Sequence, residues 1–207
     1  MSAAWHAVPE RVATPEGREV APPVVARLLR PGTILWFNIL LAAVAFAGGA
    51  LSAALTGARF VPPAPRPANA VSDYLTIVST NEQVLLSMAL GLPALGVYGN
   101  LVMLCNWFRF GSDCVAILHG SAHELIYIGI HGPLELIALT LAAAAVQELG
   151  CAGLGSLVWA QKFRWRAGVR RYALAGALLA VIAVIEVISK GMRAASAHLS
   201  LNIWPGF

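Results

Sequence analysis

Residues 34–55 run for twenty-two positions without one charged side chain. Wound as a helix at about 1.5 Å per residue, such a run covers roughly the 30 Å of a bilayer's hydrocarbon. A segment of that length and composition has no comfortable place in a soluble domain. The rest of the chain agrees: 58% of its residues are hydrophobic and 12% charged, with a mean hydropathy of +0.73. Soluble domains carry about twice that share of charge. The sequence therefore predicts an integral membrane protein.

Further apolar stretches follow at residues 83–107, 114–130, 133–159 and 172–188. The expected fold is all-α, a polytopic membrane helix bundle of about five transmembrane helices. Residues 114–130 are short for a crossing, so a re-entrant hairpin is the alternative there. Residues 83–107 contain Gly91, Pro93, Gly96 and Gly99, which predict one kinked, closely packed helix. Residues 56–82 are expected to form a loop, extended over its prolines, with a short surface helix at 71–80. Residues 106–113 are expected to form a polar turn. The chain divides into a cytoplasmic tail (1–31), a transmembrane helical domain (32–190) and an interfacial tail (191–207).

Charge sets the orientation. The formal net charge of +4 is small and clustered, with Lys162, Arg164, Arg166, Arg170 and Arg171 between two spans. Short basic loops stay in the cytoplasm. Five crossings then put the amino terminus inside, residues 56–82 outside, Arg109 inside, and His131 and the carboxyl terminus outside. Trp36, Trp107, Trp159 and Trp165 fall at the inner interface. No basic stripe interleaved with aromatics is present, so nucleic acid is not an expected partner. Cys105, Cys114 and Cys151 lack the spacing of a zinc knuckle and read as reduced packing residues.

Within the apolar spans a few positions stand out. Gly48, Gly49 and Ser52 form a small-residue face for close helix contact, and Asn38 suits an interhelical hydrogen bond. His131 and Glu135 stand one helical turn apart, with Gly132 and Pro133 between them. Pro133 suits a first helical position, so a helix is expected to start at 132 or 133. Glu186 interrupts the last span. The same topology puts Asn81, Glu124, His131, Glu135 and Glu186 in the outer half, around a polar pocket, because intramembrane polar groups turn toward the bundle. The plainer reading of Glu186 is an i, i+4 pair with Lys190. His119 and His123 have metal-ligand spacing but no third ligand, so no metal or other cofactor is expected.

His131-Gly132-x-x-Glu135-Leu136-x-Ala138, the Ala-rich run after it and Gly150 resemble the signature of the stage II sporulation protein M family. Asn81, Gly91, Gly96, Asn106 and Gly111 are similar to that family's second span and following turn. Residues 180–188 resemble its last span, apolar around one glutamate. The family commonly has proline directly before the histidine, where this chain has Ile130. The resemblance implies an all-helical protein of the bacterial inner membrane. It would act with membrane partners in envelope remodelling, or in maturation or export of a hydrophobic peptide. The alternative is an intramembrane enzyme, a peptidase or peptide ligase, acting on a small hydrophobic peptide. His131, Glu135 and Glu186 are then the candidate catalytic residues, and Asn81, Asn106 and Glu124 the candidate substrate-binding residues.

Overall fold

The computed structural model describes residues 27, 30–58, 69–118, 122–158 and 165–203. Among them the chain is all-helical: α1 (Pro31–Thr56), α2 (Ala70–Ala89), a 3-10 turn (Leu92–Ala94), α3 (Val97–Ile117), α4 (Ala122–Val158) and α5 (Trp165–Ile203). Three stretches are long and apolar enough to cross a membrane: Pro31–Thr56, His131–Val158 and Trp165–Gly191. The tail before residue 27, the proline-rich residues 59–68, His119 and the end of the chain from 204 lie outside the described residues.

Four expected boundaries move. Helix α2 begins at 70, where the Asn69 side chain accepts a hydrogen bond from the Ser72 backbone amide and Asp73 occupies the first turn. That is an N-cap, and it takes the expected surface helix and the end of the expected loop, residues 70–82, into one helix of twenty residues. The expected single helix over 83–107 is two helices. Leu95 and Gly96 take left-handed backbone (φ 53° and 80°), which ends helical progression. The expected polar turn at 106–113 is the interior of α3. Finally, α4 passes straight through Pro133. Pro133 cannot donate to the Gly129 carbonyl, so one rung is lost while the flanking rungs continue. Gly132 has a different reason to be glycine: a Cβ there would stand 2.5 Å from the Phe110 ring.

Side-chain pairs fix the helix directions. Asn38 on α1 and Asn100 on α3 both donate to Gln147 Oε1. Further along the same two helices, Gly49 meets Phe108 and Phe46 packs on Trp107 and Phe110. Helices α1 and α3 are therefore parallel. Along α3, Asn100, Trp107 and Phe110 meet Gln147, Thr140 and Gly132 in turn, so α4 is antiparallel to both. Arg171 pairs with Glu148, and Glu186 lies within Coulombic range of Glu135, so α5 is antiparallel to α4. The turn at 90–96 folds α2 back against the start of α3, where Met88 faces Gly99. Its chief neighbour is α5, through Leu85, Tyr172 and Gly176. Successive helices thus alternate in direction.

Helix α4 is the hub. It touches each of the other four helices, and its best apolar window is 61% buried, against 22% for α1 and 28% for α5. Ala142, Ala143, Ala144 and Ala145 are fully buried, and their small side chains let neighbours approach closely. Larger side chains, Met88, Met103, Leu139, Leu179 and Ile182, fill the space around them. The tightest crossing is between α1 and α3. A Cβ on Gly49 would fall 1.8 Å from the Phe108 carbonyl oxygen, and one on Gly111 would fall 2.1 Å from that of Phe46. The small-residue face at Gly48 and Gly49 is where α3 lies.

Candidate functional site

The α4–α5 hairpin carries ionisable side chains at two levels. At the near end, where the two helices connect, Arg171 pairs with Glu148. Thirteen residues back along α4 from Glu148, about 20 Å at helical rise, Glu135 lies within Coulombic range of Glu186. There Lys190 Nζ stands 2.9 Å from Glu186 Oε1, one turn along α5. The Glu186 side chain is 17% exposed. His131 is buried one turn before Glu135. Ser189, also buried, donates to the Ile185 carbonyl at 2.8 Å. An imidazole, two carboxyl groups and an ammonium thus sit at one level of one helix pair. Such a set can hold and pass protons, or take a basic group between its carboxylates. Among the described residues no three His, Cys, Asp or Glu side chains are grouped to hold a metal ion.

The other expected site residues do not gather there. Asn81 is in mid-α2, one turn from Leu85, which packs on Gly176. Its position is about 9 Å short of the Glu186 level at helical rise. The reason is the early start of α2: residues near 71–75, rather than Asn81, reach the far end. Asn106 is inside α3, and its amide donates to the Val102 carbonyl at 2.8 Å. Glu124 is on the first turn of α4, and its side chain lies outside the described part of the molecule, as does that of His123. Trp107, expected at an interface, is inside the bundle, where its indole donates to Thr140 Oγ1 at 2.9 Å. Arg109, expected in an inner turn, is in mid-α3.

The near-end level was hidden in the sequence. Asn38 is fully buried and donates from Nδ2 to the Ile34 carbonyl at 2.9 Å and to Gln147 Oε1 at 2.8 Å. A carbonyl can only accept, so the Ile34 contact fixes which end of the Asn38 amide is nitrogen. That in turn fixes Gln147 with its oxygen toward Asn38. Asn100 Nδ2 donates to the same oxygen at 3.4 Å. Asn38 Oδ1 and Asn100 Oδ1 are buried acceptors with no donor among the described residues. Beside this node Glu148, with a side chain 5% exposed, meets Arg171, 21% exposed. The interhelical role expected of Asn38 is seen here. Glu148 and Arg171 were not singled out, because Arg171 is masked by its basic neighbours. The available signal was the Gln147-Glu148 dipeptide, which interrupts an otherwise apolar helix.

No protein-family model matches this chain, and no curated protein and no solved structure matches it.

Proposed function

We propose that this is a multi-pass protein of the bacterial inner membrane, with all five helices in the bilayer and the near end of the bundle cytoplasmic. It acts with membrane partners in envelope remodelling, or in the maturation or export of a hydrophobic peptide. Three helices have the length and apolarity to cross. Helices α2 and α3 are less apolar, but they pack against those three at the same levels, and the alternating directions suit five successive crossings. Arg166, Arg170 and Arg171 on the first turns of α5 are at the near end, the sign that suits a cytoplasmic side. The observation that carries the functional reading is the far-end cluster of Glu135, Glu186, Lys190 and His131 between two apolar helices. Ionisable groups kept at such a depth are costly unless used. They lie on the residues through which the chain resembles the sporulation protein M family.

A second reading rests on the closeness of Glu135 to Glu186. In an intramembrane enzyme one of these carboxylates takes a proton from a water or amine that attacks a peptide carbonyl, and His131 returns a proton to the leaving group. The two readings separate in one experiment: copurification from native membranes of the wild type and of Glu135→Gln, with identification of bound proteins and peptides. A partner-binding component keeps the same partners in both. An enzyme keeps its assembly but leaves an unprocessed peptide in the variant. Preparations that never carry a partner or peptide would overturn both readings.

A further inference from the structure

One face of α5 is left uncovered by the bundle. At about 100° per residue, Arg166, Arg170, Leu174, Val181, Val184 and Ile188 fall within one arc of about 80°. All six are exposed, the apolar four from 46% at Val184 to 57% at Val181. On the membrane reading proposed above, on which this inference rests, hydrocarbon covers the apolar four, and the two arginines stand at the near end of the face. The apolar stretch Trp165–Gly191 has 27 residues, about 40 Å at helical rise, which exceeds the roughly 30 Å of hydrocarbon. The surplus lets its first turns stand among lipid headgroups, where a guanidinium stays hydrated while its stem lies against apolar surface.

These arginines have no acid to answer them. Neither makes an ion pair among the described residues, whereas their neighbour Arg171 is paired with Glu148. Glu82 on α2 lies deeper, past the contact of Leu85 with Gly176. Arg27 and Arg30, ahead of α1, add further exposed bases at this end. Arg166 Cζ lies 5.9 Å from the centre of the exposed Trp165 ring, a contact that takes up a face of the guanidinium and not its N–H edge. We infer that Arg166 and Arg170 bind the phosphate of an anionic phospholipid in the cytoplasmic leaflet. Two guanidiniums one turn apart can both give N–H donors to one phosphate. Trp165 suits the interfacial level beside it, and the acyl chains run along the face past Leu174 and Val181. A second copy of the chain does not fit, because a twofold axis along the bilayer normal would set arginine on arginine. A zwitterionic headgroup brings its own cation, which the arginines repel, so an anionic one is selected.

The test uses the full-length protein, released from nanodiscs of mixed phosphatidylglycerol and phosphatidylcholine and weighed by native mass spectrometry. The wild type should retain one phosphatidylglycerol about 30-fold in preference to phosphatidylcholine. Arg166→Gln/Arg170→Gln should lose that preference at an unchanged melting temperature, and Arg27→Gln/Arg30→Gln should keep it. If the first double variant melts early, Arg166→Gln and Arg170→Gln singly should each lose about fivefold. A preference that survives loss of both arginines, or that falls equally on loss of Arg27 and Arg30, would overturn the inference. So would displacement of the lipid by inorganic phosphate, which would make the ligand a soluble phosphate, or an acidic protein held there in its place. Alkaline carbonate separates this failure from failure of the membrane reading. If carbonate strips the protein from native membranes, the membrane reading is wrong. If the protein stays and shows no lipid preference, only the lipid site is wrong.

Discussion

Gly48 and Gly49 are neighbours in sequence but differ in what a methyl group would meet. On Gly49 it would enter the Phe108 backbone, whereas on Gly48 it would rest at ordinary contact, 3.7 Å, from the Phe108 ring. Gly49→Ala should lower the melting temperature of the detergent-solubilised protein by an amount equivalent to about 1–3 kcal/mol, the usual cost of overpacking. Gly48→Ala should be close to neutral. Equal melting of the two variants would mean that the crossing has another geometry. Charge gives a second test. Arg171→Leu leaves Glu148 buried without its partner, a change that typically costs about 3–5 kcal/mol, while replacing both partners by apolar residues is often nearly neutral. Arg171→Leu should therefore unfold far more readily than the double variant Glu148→Leu/Arg171→Leu in a thermal assay. A double variant as unstable as the single would contradict this. Small-residue faces and isolated glutamates were legible because a single residue type in an apolar run carries the message. Glu148–Arg171 and the Asn38–Gln147–Asn100 node were not, because their meaning depends on three or four helices arriving at one level.

Proline and glycine marked the elements less faithfully than they marked contacts. Pro133 reads as a helix start at 132 or 133; in the fold both residues are interior to α4, and Gly132 is needed by Phe110. The two readings give opposite signs for Pro133→Ala. A helix that started at 133 would lose a preorganised first residue. A helix that runs through regains a backbone donor opposite Gly129, and Pro inside a helix costs about 3 kcal/mol. Pro133→Ala should therefore raise the melting temperature, and a fall would restore the broken helix. The true break, at 91–96, rests on Gly96. Its φ of 80° and the Gln147 Cα, which a Cβ here would approach to 2.6 Å, both exclude a side chain. Gly96→Ala should thus be among the most damaging glycine substitutions in a stability screen. The pattern of apolar residues could not reveal this break, because the segments on either side are apolar alike. The cap at Asn69 was legible in principle: a side-chain acceptor three residues ahead of Ser72, with Asp73 following, is an ordinary helix start.

At the scale of the whole molecule, apolar composition foretold the helical class and the three most apolar helices. The remaining two were expected as helical with other bounds, and their extents follow from the Asn69 cap and the break at 91–96. The alternating directions carry a topological expectation. A cysteine introduced by Trp165→Cys should react with an impermeant reagent from the cytoplasmic side only, and labelling from outside intact cells would end the five-crossing reading. The order of the helices along the chain has a further consequence, for synthesis. Helix α2, which carries Asp73 and Glu82, is made second, but its chief neighbour α5 is made last. While the ribosome is still extending the chain, α2 has neither the apolarity to settle alone in lipid nor the surface it will eventually rest on. On the five-crossing proposal, its entry into the bilayer is a late, cooperative event that waits for the carboxyl-terminal helix. Chains cut after Val158 should leave α2 open to protease in membrane vesicles, while the full chain protects it.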